Sequence, residues 1–460
     1  MKITKIPHLL VLLICFCLVL LSSCGTTNNT SASHSVIANK HTPAVTATAP
    51  SATSTPTTLS AGCPPPGIAR GAFIVPETGA VQPAVFYMTE WGGVQSGINP
   101  FNLMRYDLTT GKATSIFTFT NFTVGVMPVI QLSPNKHWLL VTNSDNTTHI
   151  TKIQLIRTDG TQTQTLACYP SSQFILRASW LPDSRQIAIT KDQYDQKHNT
   201  ESYTVDVLNL ATEETQTVLS GNYSPYAWLD DRHLVVEQET KMDKFPSKAD
   251  FYLFDTNNGS QQKLTNLPHI ASFELWGSLM AGDIAVSSDS SQVFISSFAQ
   301  TNTNTPGCQG TATQGPGTLK SYTINSGSTH SIYSDQKHAI MAIQSINSQT
   351  LLMYIENNIG DLSQNGLWKI NSDGSSLTRL TTANDPQCRD TAYSEWGPQI
   401  AHNDQSYALL QTDFNHDENQ SIVVGALSGG TPTTIATSAN VSLPPGKDHF
   451  ERLLQLVGMA

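Results

Sequence analysis

Short apolar runs separated by polar turns recur along this chain from about residue 70 onward. Runs such as Trp138-Leu139-Leu140-Val141 and Phe251-Tyr252-Leu253-Phe254 are rich in β-branched and aromatic residues. Almost no stretch keeps its apolar residues at helical spacing. The pattern therefore predicts an all-β fold rather than an all-α or α/β one.

Two kinds of tight turn group these runs into units of four strands, A to D. The turn between strands A and B recurs about every 50 residues, which is the repeat length of propeller blades. Examples of this A–B turn are Ser133-Pro134-Asn135-Lys136, Pro182-Asp183-Ser184-Arg185, Asp230-Asp231-Arg232-His233 and Ser288-Asp289-Ser290-Ser291. A second turn precedes strand D and usually contains glycine, as in Thr158-Asp159-Gly160-Thr161, although the third unit has Ala211-Thr212-Glu213-Glu214 there. About seven units follow, so we predict a single β-propeller over residues 63–440.

The repeats resemble a known family of propellers. The segments Trp180-Leu181-Pro182-Asp183-Ser184 and Leu132-Ser133-Pro134-Asn135-Lys136 are similar to the Trp-Ser-Pro-Asp-Gly turn of the TolB-type repeat, which is related to the WD-type blade. The resemblance covers most of residues 84–437 and implies the propeller fold. It does not carry over an activity, because the chain has no Gly-x-Ser-x-Gly motif and too few residues after about 440 for a hydrolase domain of ordinary size.

The N-terminus has the features of an exported protein. Lys2 and Lys5 precede an apolar run over 9–21, which is too short for a comfortable membrane span. The run ends in Leu21-Ser22-Ser23-Cys24-Gly25, which resembles the bacterial lipobox. The resemblance implies removal of a signal peptide (1–23), lipidation of Cys24 and a lipid-anchored location on the outer face of the cytoplasmic membrane, in the periplasm or at the cell surface. The alternative is an ordinary signal peptide or membrane anchor with a chance cysteine.

Residues 24–62 separate this anchor from the propeller. They are rich in Ser, Thr, Ala and Pro and almost free of aromatic residues. Such a segment buries too little apolar surface to offset the entropy of folding, so we predict a disordered tether.

Four cysteines remain in the head, namely Cys63, Cys168, Cys308 and Cys388. An even number in an oxidising compartment predicts two disulfides, and four cysteines allow three pairings. Since three of them map to long connections on one face, we favour Cys308–Cys388, with Cys63–Cys168 as the remaining pair.

The predicted connections differ in length between the two faces of the disc. A–B and C–D turns are mostly short, whereas B–C and D–A connections are long, for example 91–100, 192–202, 240–250, 300–318, 356–365 and 413–420. Both long types emerge on one face of a four-stranded meander, and long loops on a rigid scaffold commonly carry function. We therefore place the functional surface on that long-loop face, over the central channel.

The pattern also suggests how the ring begins and ends. Strand A of the first blade is expected at 71–75 and strand D of the last at 433–436, with a C-terminal tail at 441–460. In that arrangement no blade mixes strands from the two chain ends, and closure depends on packing, a disulfide or the segment 449–457.

Candidate ligand-binding residues lie near the long connections. Trp91, Trp276 and Trp396 are each followed by glycine, and Glu90 and Glu395 precede two of them. Exposed tryptophans beside acids are typical of a platform for a sugar or peptide, but a tryptophan at a strand boundary more commonly packs between blades.

One segment alternates oxygen ligands in the manner of a calcium loop. Its candidate ligands are Asp413, Asn415, Asp417 and Asn419. The segment lacks the glycine and the final glutamate of such loops, with Val424 at the latter position, so a polar hairpin tip explains it equally well. We predict no other cofactor.

Charge narrows the classes of partner. The chain carries 35 acidic and 25 basic residues, for a net charge of -10, which disfavours nucleic acid. The preferred function is a surface-displayed binding or scaffold propeller for a protein, peptide or cell-wall glycan. The alternatives are a polysaccharide-acting lyase or glycosidase with its site over the channel, and an accessory lipoprotein of a membrane complex.

Overall fold

The computed structural model describes most of the head of the protein. The described residues are 62–65, 69, 81–92, 101–119, 128–145, 148–170, 173–195, 200–221, 223–241, 248–264, 284–305, 308–357, 361–381, 399–413, 419–438 and 451–460. All of these residues belong to one compact unit, which the chain forms from Pro50 to Ala460. The predicted signal peptide, and the predicted tether up to residue 61, lie outside the described residues. No helix in the described part of the chain has the length and apolar character needed to cross a membrane.

The strands form seven four-stranded antiparallel sheets, which confirms the predicted all-β, seven-bladed propeller. Blade 1 contains β1 (Ala84–Gly92), β2 (Phe101–Asp107), β3 (Lys112–Phe119) and β28 (Glu451–Met459); blade 2 contains β4 (Val129–Leu132), β5 (Trp138–Asp145), β6 (Ile150–Arg157) and β7 (Thr163–Pro170); blade 3 contains β8 (Phe174–Trp180), β9 (Gln186–Asp195), β10 (Thr200–Asn209) and β11 (Thr215–Gly221). Blade 4 contains β12 (Ser224–Trp228), β13 (His233–Lys241), β14 (Lys248–Asp255) and β15 (Gln261–Lys263); blade 5 contains β16 (Ile284–Val286), β17 (Gln292–Thr305), β18 (Cys308–Thr323) and β19 (Thr329–Asp335). Blade 6 contains β20 (Ala339–Asn347), β21 (Thr350–Glu356), β22 (Gly366–Asn371) and β23 (Thr378–Arg379), with a short 3-10 turn at Leu362–Gln364; blade 7 contains β24 (Gln399–His402), β25 (Ser406–Asp413), β26 (Asn419–Ala426) and β27 (Thr433–Thr437).

The apolar core is divided among the seams between blades. Leu139 and Val141 of β5 pack in a cluster shared with blade 1, whereas Trp138 and Leu140 of the same strand pack in a cluster shared with blade 3. Seven such clusters join the seven pairs of neighbouring blades around the ring. Because successive residues of a strand point to opposite faces and both faces are covered, the inner strands are continuously apolar rather than alternating.

The A–B turns repeat one hydrogen-bonding pattern. In each of the six turns that join strands A and B within one stretch of chain, an Asn or Asp side chain accepts the backbone N–H two residues further on; the acceptors are Asn135, Asp183, Asp230, Asp289, Asn347 and Asn403. Short Asx side chains favour such turns because they mimic a backbone acceptor. The polar turns predicted from the sequence thus form one regular face of the disc.

The C–D turns bring the blades close together. Gly160 has a φ of 77°, and a Cβ there would lie 2.9 Å from Cβ of Ile116 on β3 of the preceding blade. Glycine is therefore required both by the backbone conformation and by the approach of the neighbouring strand. In the third unit, which has no glycine, Glu213 takes the positive φ of 62°.

The ring closes differently from the sequence-based expectation. Residues 71–75, the expected strand A of the first blade, lie outside the described residues, whereas strand D of the last blade is confirmed as β27. The place of strand A in blade 1 is occupied by β28, which pairs with β1 from Val85↔Met459 to Gly92↔Glu451. The expectation that no blade mixes the two chain ends was therefore wrong, and the segment 451–459, assigned to a tail, belongs to the propeller. Alternating apolar residues such as Leu454 and Leu456 explain why, because they complete the seam with blade 7.

Blade 5 shows a second difference. Residues 300–318 were expected to form a long B–C loop, but β17 and β18 continue beyond the blade and pair from Ala299↔Gln314 to Thr305↔Cys308. Threonines recur along both strands, and their β-branched side chains favour extended structure over a loop.

Candidate functional site

The strand directions define two unlike faces of the disc. Strands B and D run toward one face, where the B–C and D–A connections emerge, and strands A and C run toward the other. On the second face, the tight-turn face, every A–B and C–D connection is short; the longest are 372–377 and 427–432. On the long-loop face, the D–A connections reach 264–283 and 380–398. The predicted asymmetry is present in part: the longest connections all lie on the long-loop face, but others there, such as 222–223 and 306–307, are as short as the tight turns. The expected long connection 192–202 is mostly β9 and β10. The long-loop face is therefore the variable one.

The tryptophan and glutamate candidates fall into two groups. Glu90 and Trp91 lie in the last part of β1, in register with Leu453 and Arg452 of β28. They are thus at the long-loop end of an inner strand rather than in a loop. Trp276, Glu395 and Trp396 lie outside the described residues.

The candidate calcium ligands are only partly placed. Asp413 ends β25 and Asn419 begins β26, and the two residues are paired in register across the hairpin. Asn415 and Asp417 lie outside the described residues. No group of three or more His, Cys, Asp or Glu residues suited to a metal ion occurs in the part of the chain that the structure describes. The calcium site stays a prediction.

One predicted disulfide is present. Cys63 and Cys168 are bonded, with their Cα atoms 5.7 Å apart. Cys168 lies within β7, and the residue after Cys63, Pro64, is buried. Ala69 packs against the apolar cluster between blades 2 and 3. The bond therefore fixes the segment that enters the propeller to the outer strand of blade 2. Cys308 begins β18, and its predicted partner Cys388 lies outside the described residues.

A group of hydrogen-bonded polar residues lies on the long-loop face at blade 6. We name it the blade 6 cluster and define it as His338, Asn357, Asp361, Asn365 and Arg379. Two asparagines hold the ends of the B–C connection together: the Asn357 backbone N–H donates to Asn365 Oδ1 at 2.8 Å, and Asn365 Nδ2 donates to the Asn357 carbonyl at 2.9 Å. Asn357 Nδ2 also donates to the Lys337 carbonyl at 2.6 Å, in the D–A connection between blades 5 and 6. The two connections are thereby joined at their bases.

Arg379 supports the same loop from the outer strand. Its Nη1 donates to the Ser363 carbonyl at 2.8 Å, and its Nη2 donates to the Asn365 carbonyl. The guanidinium lies 5.4 Å from the ring centroid of Trp368, a favourable cation–π distance. Because its donors serve backbone carbonyls, Arg379 shapes the loop rather than presenting a charge to a ligand.

His338 and Asp361 connect the loop to the neighbouring blade. His338 is almost fully buried, and its Nε2 lies 2.7 Å from the Asp361 carbonyl, while its Nδ1 lies 3.0 Å from Asp335 Oδ1. The Asp361 carboxylate accepts hydrogen bonds from the hydroxyl and backbone N–H of Ser363, which, with the nearby Lys337 ammonium, lower its pKa to about 2. Lys337 Nζ lies 3.5 Å from Asp361 Oδ2, and the lysine side chain is 69% exposed. The cluster thus presents the Asp361 carboxylate to solvent, and Lys337, beside the cluster, adds an exposed ammonium.

A close backbone approach explains a glycine beside this cluster. A Cβ on Gly317 of β18 would lie 2.4 Å from the His338 carbonyl oxygen. Only glycine lets β18 pass so near the D–A connection. The cluster and the extended hairpin of blade 5 are therefore neighbours on the long-loop face.

No sequence motif predicted this cluster. His338 is a buried residue whose two ring nitrogens lie beside the Asp361 carbonyl and the Asp335 carboxylate. The two asparagines and Arg379 were not singled out, since their partners are backbone carbonyls that no side-chain motif reveals. Asn357 and Asn365 on either side of a short Gly- and Asp-containing segment were the available signal.

Comparisons with known proteins give similarity at the level of fold. No protein-family model matches the chain, and no curated protein matches it in sequence. Among solved structures, an acylaminoacyl peptidase bound to a chloromethyl ketone is 11% identical with a TM-score of 0.52, over 80% of this chain and 52% of that one. An oligogalacturonate lyase in complex with manganese is 13% identical with a TM-score of 0.48, over 78% of this chain and 98% of that one. TolB from Acinetobacter baumannii is 13% identical with a TM-score of 0.37, over 75% and 78%. Structural neighbours thus include TolB-type propellers, and the likeness shows the fold alone.

Proposed function

We propose that this chain is a binding or scaffold propeller that recognises a protein, a peptide or a cell-wall glycan through its long-loop face. The supporting observation is that long, variable connections are confined to one face, while the other is built from repeated tight turns. A rigid disc with one variable face is the arrangement that places binding loops on a scaffold.

The blade 6 cluster adds support for binding. Its B–C connection is held by reciprocal asparagine bonds and by Arg379. A loop that is ordered before binding loses less conformational entropy when a ligand arrives. Lys337 and Asp361 then offer a donor and an acceptor beside this ordered loop.

The proposal includes display outside the cytoplasm through a lipid on Cys24. A disulfide at Cys63–Cys168 is typical of an oxidising compartment, which agrees with export. Metabolic labelling with an alkyne fatty acid tests the anchor. Label and membrane fractionation should both be lost in Cys24→Ala; unchanged labelling of that variant would exclude this lipidation site.

Capture by the full-length protein tests the binding function. The immobilised chain is exposed to cell-wall and membrane fractions, with Lys337→Glu as the long-loop variant and Arg185→Glu, on an exposed residue of a tight turn, as its control. We expect Lys337→Glu to weaken retention of the captured material, whereas Arg185→Glu leaves it unchanged. Equal loss in both variants, or no retention by the native chain, contradicts the proposal.

One observation favours the enzymatic alternative. Two nearly inaccessible carboxyl groups, Glu237 and Glu356, lie opposite the first residues of their strands A, at the level where the long-loop face begins. Carboxyl groups supply the acid and base of glycoside chemistry. Turnover of a polysaccharide by the native chain that is lost in Glu356→Gln, with folding retained, would replace the binding proposal.

A further inference from the structure

Two tyrosines form an aromatic corner at the outer edge of the seam between blades 3 and 4. Tyr223 precedes β12 in a D–A connection, and Tyr252 lies in β14. Their ring centroids are 6.0 Å apart with an interplanar angle of 82°. Both residues are half-buried and pack against the apolar cluster shared by the two blades. One part of each residue therefore supports the seam, and the rest faces solvent.

Polar groups with both donors and acceptors surround this corner. The Tyr223 hydroxyl donates to Gln261 Oε1 at 3.1 Å. Lys263, in register with Tyr252 on the next strand, places Nζ 2.6 Å from Asp250 Oδ2. Gln261 and Lys263 are exposed, and the charges of Lys263 and Asp250 cancel. We name Tyr223, Tyr252, Gln261, Asp250 and Lys263 the Tyr223–Tyr252 patch.

The patch runs along the outer edge of blade 4 and reaches the long-loop face at one end. Tyr223 belongs to a connection on that face, and Asp250 lies near the long-loop end of β14. Lys263 is opposite Tyr252 in the middle of β14, and Gln261 is opposite Phe254, nearer the tight-turn face. A ligand held on the long-loop face could therefore extend onto this edge.

The two tyrosines are less buried than the tyrosines inside other seams. Tyr354 and Tyr407 are each 1% exposed, whereas Tyr223 and Tyr252 are half-buried. An exposed ion pair such as Lys263–Asp250 contributes little to stability. Half-buried aromatic rings with adjoining polar groups are typical of surfaces that bind ligands.

We propose that the Tyr223–Tyr252 patch binds an uncharged saccharide unit, so that the ligand of the long-loop side is a neutral glycan. The inference rests on the proposed binding function and narrows its ligand class. A sugar ring presents C–H groups that pack on an aromatic face and hydroxyls that both donate and accept. Gln261, Lys263 and Asp250 match those hydroxyls, because an amide, an ammonium and a carboxylate together provide both roles. The balanced charge of the patch gives no electrostatic preference for a polyanion or a polycation.

Binding of the full chain to defined glycans tests the inference. The probes are a neutral glucan, a chitooligosaccharide, a polyuronate and an unrelated peptide library. We expect the native protein to prefer a neutral glycan, and Tyr252→Ala to weaken that binding about 10-fold or more, equivalent to about 1.4 kcal/mol. Lys263→Met, which leaves the aromatic rings in place, should weaken binding while keeping the thermal midpoint unchanged, and so separates binding from folding.

Tyr333→Ala is the matched control, since Tyr333 is also half-buried on an outer strand, β19 of blade 5, with its hydroxyl 3.3 Å from Asp335 Oδ2. It should bind glycan like the native chain. Preference for the polyuronate or for peptides, or equal losses in Tyr252→Ala and Tyr333→Ala, would overturn the inference. The native chain could instead bind no glycan but retain a protein partner, with that retention weakened by Lys337→Glu. This result would overturn the glycan inference and leave the proposed binding function intact.

Discussion

The tight-turn face of this propeller repeats the same turn from blade to blade, whereas the connections of the long-loop face differ between blades. On the tight-turn face, neighbouring A–B turns bond to one another: the Asn135 N–H donates to Ser184 Oγ at 3.0 Å, and the Asp183 N–H donates to Asp231 Oδ1 at 2.9 Å. On the long-loop face, the connections differ from blade to blade, and the blade 6 cluster has its own local bonding. The repeated face holds the disc together, and under the proposed function the irregular face carries the ligand contacts.

The two faces also secure the chain ends differently. At the tight-turn face, Lys136 Nζ donates to the Met459 carbonyl at 2.9 Å and so links blade 2 to the end of β28. Cys168 lies near the long-loop end of β7 and is bonded to Cys63. The C-terminal strand is therefore held by packing and hydrogen bonds, and the N-terminal segment by a covalent bond. The comparison predicts that substitutions at the two secured chain ends and on the tight-turn face alter stability, whereas substitutions in the connections of the long-loop face alter binding.

The largest expected effect comes from the closing strand. Leu454 is 1% exposed in the seam between blades 7 and 1, so Leu454→Asp places a carboxylate among apolar side chains. We expect a loss of more than about 4 kcal/mol in the free energy of unfolding. Denaturant unfolding measures the loss, with Leu377→Asp on an exposed C–D turn residue as the control. A similar loss in both variants would contradict closure by β28.

Loss of the Cys63–Cys168 disulfide should have the second-largest effect on the free energy of unfolding. Cys63 and Cys168 are 105 residues apart, so the bond restricts a long loop in the unfolded chain. Replacing both with serine should lower the free energy of unfolding by about 2–5 kcal/mol. Cys308→Ser, which removes only the predicted Cys308–Cys388 bond, is measured in parallel so that the two contributions are separated. Reduction of the native protein should lower the midpoint at least as much as the double serine variant does, and an unchanged midpoint after reduction would show that the Cys63–Cys168 bond does not constrain the head.

A single tight turn should have a smaller effect. The Asp183 carboxylate accepts the backbone N–H groups of Arg185 at 2.7 Å and Gln186 at 3.2 Å. Asp183→Ala leaves them without this acceptor and should cost about 1–2 kcal/mol. Ligand capture should be unaffected, and a binding defect at unchanged stability would reverse the assignment of the two faces.

The smallest expected effect is a pH dependence centred on His402, at the end of β24. Burial lowers the pKa of this imidazole, and the Lys136 ammonium adds to that shift, opposed by Asp404. His402 Nε2 lies 3.0 Å from the Ser345 carbonyl of blade 6. Because the folded pKa lies below the ordinary value of 6.5, the contribution of His402 is complete above about pH 6.5 and is lost as the pH falls toward the folded pKa.

Urea midpoints at pH 7.5 and 5.5 should therefore differ more in the native chain than in His402→Gln. His330→Gln, on an exposed residue of blade 5, provides the control. An identical pH response in the native and His402→Gln chains would show that His402 does not cause the pH dependence of stability.

The recurring turn residues made the fold predictable from the sequence. The blade 6 cluster has no such recurring motif, so the sequence did not predict it. Asp183, Asp289 and Gly160 stand at positions where local geometry demands them, so their recurrence revealed the repeat and the four-strand unit. The Cys63–Cys168 pair was predicted only as the one left after Cys308 was paired with Cys388, and Cys168 lies within β7 rather than in a long connection. Asn357, Asn365 and Arg379 could not be found in that way, because they bond to carbonyls whose positions depend on the folded loops.

The sequence by itself determined the class of fold, the number of blades and the sidedness of the disc, because each depends on short-range patterns of apolar runs and turn residues. Only the tertiary structure decided that β28 completes blade 1, that the core is a ring of seven seams, and that Tyr223 and Tyr252 meet at one edge. Those outcomes join residues far apart in the chain, and the apolar or polar character of a residue does not say which distant partner it meets.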